Sequence, residues 1–310
     1  MDRIIWKNGK LLPESEATIS IYDSALMFGD SVFEMTRSFN GKHFLLQEHI
    51  DRLYRSAKPL KIEIPLTPQE LSAVCQEVSD ANKFEPDDEH RLLINVSRGA
   101  LGIYHGTGAH RGTNIIVSDF PLRWTVAGMG RLFDEGVNAV IPSQRAIPSD
   151  LIDARVKHRS RLHFMKANIE VAQMKGDNNW ALLLDTDGYI AEGTGANFFI
   201  VKDEVLYTPE PRNILKGITR RYVIDWGNLI GCTERNLLPY DVFNADEAFF
   251  TGTPFCIMPV TSLNGQKIGT DNPVTKSLIE AWSWDVGVDI VEQIKAWDKG
   301  AVEGATPYKF

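Results

Sequence analysis

Between Leu182 and Asp203 the chain reads LLLDTDGYIAEGTGANFFIVKD, three short apolar runs separated by turn residues. DTDG is a tight-turn sequence, so LLLD and YIAE are expected to pair as a hairpin, with NFFIVK as a third strand. A meander of this kind needs an antiparallel sheet to sit in, which commits the second half of the chain to β structure. One residue breaks the pattern. Glu192 ends an apolar strand, where an unpaired carboxylate is costly to bury. Gly193 and Gly195 follow, and glycines there let the backbone bend or approach another group closely. Read locally, this is a strand-end Glu in solvent beside a flexible turn. The alternative is a carboxylate facing something bound.

The remaining segments divide by period. IIWKNGKLL carries a turn signal between apolar runs and reads as two short strands, and ATISIYD continues in that style. Helical periodicity is read from about Gly29, and FLLQEHIDRLYRSAKPL puts Leu46, Ile50, Leu53 and Ala57 on one face. Thr67, Pro68 and Glu70 open a helix over TPQELSAVCQEVSDAN. RLLINVSRG and TNIIVSDF read as strands of the same domain. GVNAVIPSQRAIP reopens strand structure, and the basic run ARVKHRSRLHFMKANIEVAQMKG turns helical in its second part. GITRRYVIDWGNLIG reads as an amphipathic helix, EAFFTGTPFCIMPV as a buried strand and loop, and NPVTKSLIEAWSWDVG as the final helix. The 310 residues suit one large or two medium domains. The pattern predicts an α+β protein: a smaller N-terminal α/β domain over 1–120, a linker over 121–130, and a larger β-rich α/β domain over 131–310.

Composition removes several classes. A formal net charge of −8 opposes a broad nucleic-acid-binding face, which needs concentrated Lys and Arg. The three cysteines, Cys75, Cys232 and Cys256, are far apart and offer neither a disulfide framework nor metal-ligand spacing. No run of about 18 apolar residues exists, and MDRIIWKNGKLL lacks the long apolar core of a signal peptide. The expectation is a cytoplasmic protein with no metal and no membrane or nucleic-acid partner.

Several short features have the residue types that chemistry needs. In ILKGITR, Gly217, Ile218 and Thr219 open a helix, where unpaired N–H groups and the dipole suit a phosphate; an ordinary N-cap is the commoner reading. Thr251-Gly252-Thr253-Pro254 follows an apolar strand and offers hydroxyl and amide donors, or merely turns. Lys157 lies in RVKHRSR, which is either a solvated charged face or a lysine whose amine is tuned by neighbouring cations for Schiff-base chemistry. Lys166 and Lys175 are its local competitors. Arg52, in EHIDRL, pairs with a nearby Glu or grips a phosphate bidentately.

In this order the features resemble the class IV aminotransferases, the fold-type-IV enzymes that use pyridoxal 5′-phosphate (PLP). The resemblance runs from about Asn8 to Gly269, through YDSALMFGDSVFEMTR, LLQEHIDRLYRSAK, ARVKHRSR, LLLDTDGYIAEGTGANFFIVKDEVLYTP, ILKGITR and DEAFFTGTPFCIMPV. It implies that Lys157 forms the Schiff base with the cofactor and shuttles the proton. Glu192 would face the pyridine nitrogen, while Arg52, Gly217, Ile218, Thr219 and Thr253 would hold the phosphate. It also implies a homodimer acting on a small-molecule amino donor and a 2-oxo acid.

Substrate residues match the branched-chain branch unevenly. Phe33, in SVFE, fits it, and Arg91 resembles an arginine near the substrate carboxylate, although Glu89 replaces the tyrosine expected two residues earlier. Pro254 stands where those enzymes offer a backbone N–H to the carboxylate, and proline has none. Leu162 replaces a tyrosine that contacts the cofactor's phenolic oxygen. Ile103 and His105 occupy the place of an Arg-x-His carboxylate trap found in D-amino acid enzymes, in a specificity loop over 101–108. The expected activity is transfer of an amino group from a branched-chain-like or other hydrophobic amino acid, or an amine, to a 2-oxo acid. The alternatives are an R-selective amine or D-amino acid transaminase, an aminodeoxychorismate-type lyase, or a non-catalytic binding protein.

Overall fold

Contacts along the chain divide it into two units, Met1–Trp124 with Val156–Arg161, and Thr125–Arg155 with Leu162–Phe310. The division falls inside the stretch expected as a linker. The segment Val156–Arg161, assigned from sequence to the larger domain, packs with the first unit. The computed structural model describes residues 2–84, 88–176, 178–227, 231–269 and 271–298. The end of the helix expected from GITRRYVIDWGNLIG, at 228–230, and the tail of the expected large domain, at 299–310, lie outside the described residues.

The first unit contains β1 (Ile4–Lys7), β2 (Lys10–Pro13), α1 (Ser24–Phe28), β3 (Ser31–Phe39), β4 (Lys42–His43), α2 (Leu46–Ala57), α3 (Pro68–Ala81), β5 (His90–Ser97) and β6 (Asn114–Pro121). Its strands form an antiparallel sheet in the order β2-β1-β6-β5-β3-β4. One face packs on α2 and α3: Val32, Leu92, Ile94, Val96, Ile115 and Val117 meet Ile50, Leu53, Leu71 and Val78 in a single buried cluster. The apolar stripe read for α2 is thus the buried one. For α3, the Thr67 hydroxyl accepts from Glu70 N at 3.2 Å and the Glu70 carboxylate accepts from Thr67 N at 2.6 Å, a reciprocal cap with Pro68 in the first turn.

Two expectations fail here. Ala17–Tyr22 forms no strand, and only Asp23 bridges to Ala100. The helix expected from about Gly29 is instead α1 ending at Gly29, whose φ is 67°, followed by β3. Eight of the nine residues of β3 are buried, so the alternation that marks a half-exposed strand is missing.

A short helix, α4 (Arg123–Val126), spans the division. The second unit has α5 (Leu132–Glu135), β7 (Val137–Val140), α6 (Leu162–Ala172), β8 (Asn179–Leu184), β9 (Ile190–Gly193), β10 (Asn197–Lys202), β11 (Val205–Thr208) and α7 (Ile218–Gly227). It continues with β12 (Cys232–Glu234), α8 (Pro239–Phe243), β13 (Glu247–Gly252), β14 (Cys256–Leu263), β15 (Gln266–Lys267), α9 (Pro273–Val286) and α10 (Ile290–Asp298). The helix expected to be final is therefore followed by one more. Among the described residues the strands run β12-β11-β10-β13-β14-β7-β8-β9, with β15 on β14. The expected hairpin is present: Leu182 pairs with Gly193 and Leu184 with Ile190.

Cross-strand aromatics lock β10 to β13. Phe199 stacks on Phe249 with ring centroids 5.1 Å apart, and Phe198 meets Phe250 edge-on at 5.2 Å. Such pairs contribute about 0.5–1.5 kcal/mol each beyond burial. They also fix the register that sets Asn197 opposite Thr251. Among the described residues no helix is long and apolar enough to cross a membrane.

Candidate active site

In the second unit the expected cofactor residues gather at one end of β9, β10 and β13. Ala191 joins the cluster beneath α6, so Glu192, the next residue, points to the other side of the sheet. Glu192 is buried, and its Oε2 accepts from Asn197 Nδ2 at 3.3 Å and from Leu215 N at 3.2 Å. The solvent reading of this carboxylate is excluded. Asn197 also donates to Leu215 O at 2.9 Å, bracing the loop that leads into α7. A Cβ at Gly217 would lie 2.1 Å from Asn197 Oδ1, so only glycine allows this approach. Ile218 and Thr219 then start α7, both buried.

Thr253 and Pro254 form the turn after β13, beyond Thr251. Among the described residues the buried Thr251 hydroxyl finds no hydrogen-bond partner, and a Cβ at Gly195 would meet nothing within 4 Å. An orphaned hydroxyl, open space beside the glycine turn and a buried carboxylate held by neutral donors fit a polar, ring-shaped cofactor at this end of the sheet. Leu162, at the start of α6, is 75% exposed.

In the first unit, Lys157 is held beside the start of β3, on the edge that β4 takes further along. Phe33 N donates to Lys157 O at 3.1 Å, Arg159 N to Ser31 O at 3.0 Å, and His158 bridges to Val32. Lys157 N donates to the Ser56 hydroxyl of α2 at 3.1 Å. Its amine lies 4.7 Å from the centroid of the Phe33 ring. Phe33 and Lys157 are therefore brought together.

Arg52 is not poised for an anion along its whole edge. Its Nε and Nη2 donate to the buried Glu34 at 2.6 and 2.8 Å, and His49 Nδ1 shares Glu34 Oε2 at 2.7 Å. Burial alone would raise the Glu34 pKa, but the charge and hydrogen bonds of Arg52, then of His49, more than offset it and hold it far below the usual range. Burial chiefly lowers the His49 pKa, which favours the neutral ring.

Arg91 lies opposite Arg37 across β3 and β5. Among the described residues its Nε and Nη1 are buried without partners, and Nη2 meets Met35 Sδ at 3.8 Å. Desolvation first, and the charge of Arg37 second, bring its pKa down to about 9. Glu89 turns away from this pair: it takes Ser38 Oγ, Asn40 N at 2.7 Å and Gly41 N at 3.1 Å, closing the β3–β4 turn. Ile103 and His105 lie on a 3-10 turn, Gly102–Thr107, where Ile103 is 80% exposed.

The residues that sequence reading passed over are those acting across elements. Glu34 and His49 carry no local signal, and Thr251 shows only as part of the donor loop Thr251–Pro254. Arg159 carries one, by its spacing of two from Lys157 in a strand-like run.

The family model of amino-transferase class IV matches residues 31–263. The chain belongs to this family. A putative branched-chain-amino-acid aminotransferase of Methanocaldococcus jannaschii is 38% identical to this class IV aminotransferase over 282 residues, covering 89% of this chain and 94% of the relative. A D-alanine aminotransferase of Bacillus licheniformis is 32% identical, covering 87% and 93%. Among solved structures, the T.th. branched-chain amino acid aminotransferase complexed with N-(5'-phosphopyridoxyl)-L-glutamate superposes with a TM-score of 0.80 at 30% identity, covering 92% and 94%.

Proposed function

We infer that this aminotransferase moves an amino group from a hydrophobic amino acid to a 2-oxo acid, with PLP as carrier, and that Lys157 is its Schiff-base lysine. The observation that carries the residue assignment is the placement of Lys157. Its backbone is fixed on both sides by β3 and α2 while its amine lies over Phe33. When bound, PLP supplies an electron sink that makes the Cα–H of an attached amine acidic. Glu192 would hold a proton on the ring nitrogen, since a buried carboxylate favours a cation beside it. Thr219 and the N–H groups at the start of α7, with Thr253, would hold the phosphate. By the family resemblance Arg52, whose Nε and Nη2 hold Glu34, would add its charge to the binding of that phosphate. The Lys157 amine would move the proton at substrate Cα.

Phe33 and Met35 offer the substrate an apolar wall, and Arg91 is suited to an anion at the far end of the substrate. The relatives include both branched-chain and D-alanine enzymes, so Ile103, His105 and Pro254 are the positions to vary when the stereochemical preference is mapped. We further propose a cytoplasmic homodimer. The assignment of Lys157 is tested with Lys157→Ala. The purified variant should fold but lose the visible band of covalently bound cofactor, and turnover should fall on the order of a thousandfold. Retention of both band and turnover would remove Lys157 from its role.

A further inference from the structure

Resting on the aminotransferase reading, we propose that Arg159 binds the α-carboxylate of the substrate and so sets the requirement for an acid. Residues 157–159 run extended beside β3 through the isolated His158–Val32 bridge, so Lys157 and Arg159 project to one side, and Arg161 follows after a turn in which its N donates to Arg159 O at 2.7 Å. That side is the sheet face opposite α2 and α3. All three cations converge on one ring: the Lys157 amine and the Arg159 and Arg161 guanidinium carbons lie 4.7, 3.7 and 5.3 Å from the Phe33 centroid.

Arg159 is fixed in direction. Its Nε and Nη2 both donate to Asn95 Oδ1, at 3.1 and 2.8 Å, and Asn95 is the register partner of Phe33. Among the described residues no carboxylate pairs with Arg159. Its acceptor there is neutral, and its charged neighbours on the ring are cations.

Two anions could reach this spot, a carboxylate of the substrate or the phosphate of the cofactor. Geometry favours the carboxylate. The carboxylate of an amino acid is bonded to the same carbon as the amine that Lys157 must meet. Arg159 is the next residue on that face, about 6.6 Å along the strand. Arg91 stands four residues from Asn95 along β5, about 13 Å away, which leaves it to the far end of the substrate.

The test compares the PLP-loaded wild type with Arg159→Gln and Arg159→Lys. Binding of 4-methylvaleric acid is read from the visible cofactor band, amino-acid turnover is split into KM and kcat, and PLP affinity is measured on the apoproteins. Loss of a charge-assisted hydrogen bond should weaken acid binding and raise KM roughly 10- to 100-fold in Arg159→Gln. Arg159→Lys should recover part of this, with PLP affinity and the pH at which the band titrates unchanged. Unchanged acid binding overturns the proposal. So does a loss of PLP affinity alone, which would assign Arg159 to the phosphate, or a shifted band titration alone, which would make it a tuner of Lys157. A wild type with no cofactor band would instead defeat the aminotransferase reading, and this proposal with it.

Discussion

Glu34 is buried on β3, and Arg52 and His49 reach it from one face of α2. A buried ion pair adds little over an apolar pair of the same shape, but breaking it by removing one partner strands the other charge. Glu34→Gln should therefore cost roughly 3–5 kcal/mol in urea unfolding at neutral pH. The pH dependence follows from the depressed pKa. A carboxyl that is more acidic folded than unfolded stabilises fully above its unfolded value, about 4.3, and loses that contribution as pH falls towards the folded value. Wild type should lose stability below about pH 4, and the stability of Glu34→Gln should fall less over the same range. Equal acid sensitivity in the two proteins would separate Glu34 from acid unfolding. None of this pairing is legible in the sequence. Glu34 and Arg52 are 18 positions apart, and the charge spacing on α2 points only to solvent or a local Glu. Glu89 makes the same point: its partners lie 48 to 51 positions upstream.

Single elements were legible where their signals are local. The cap at Thr67 and the hairpin at DTDG each rest on contiguous residues, and both formed as read. β3 escaped because it is buried on both faces, leaving no period to read. The anchoring of α9 also escaped, since its cap comes from another strand: Glu247 of β13 accepts from Val274 N at 2.8 Å, Thr275 N at 2.7 Å and the Thr275 hydroxyl at 2.7 Å. The two caps differ in burial, which ranks their contributions. Thr67→Ala removes an exposed cap and should cost about 1 kcal/mol. Glu247→Ala leaves three donors without their acceptor in a buried setting and should cost roughly 3 kcal/mol. Shifts in the denaturant midpoint at constant slope measure both. The ranking fails if Thr67→Ala proves the more damaging.

For the whole molecule, the order of the expected cofactor residues is legible in the sequence but their structural support is not. Lys157 lies in a basic run next to a helix, and nothing local says that Val156–Arg161 completes the first unit beside β3 rather than joining the helix that follows. Exposed apolar residues carry the remaining information about assembly. In the first unit Ile21, Leu26 and Phe28 are 67%, 61% and 60% exposed. Tyr22 stacks on Tyr104 with centroids 5.2 Å apart, which sets the turn bearing Ile103 beside them. Monomeric proteins rarely leave apolar groups of this size clustered in water, and a two-fold dimer would bury such a patch against its own copy. Sedimentation equilibrium should then give twice the 34.8 kDa of one chain. A combined Leu26→Glu and Phe28→Glu variant should shift the protein to a single chain without unfolding it, since neither side chain belongs to the buried cluster under the sheet. A wild-type monomer, or a variant that stays dimeric, would place the interface elsewhere or remove it.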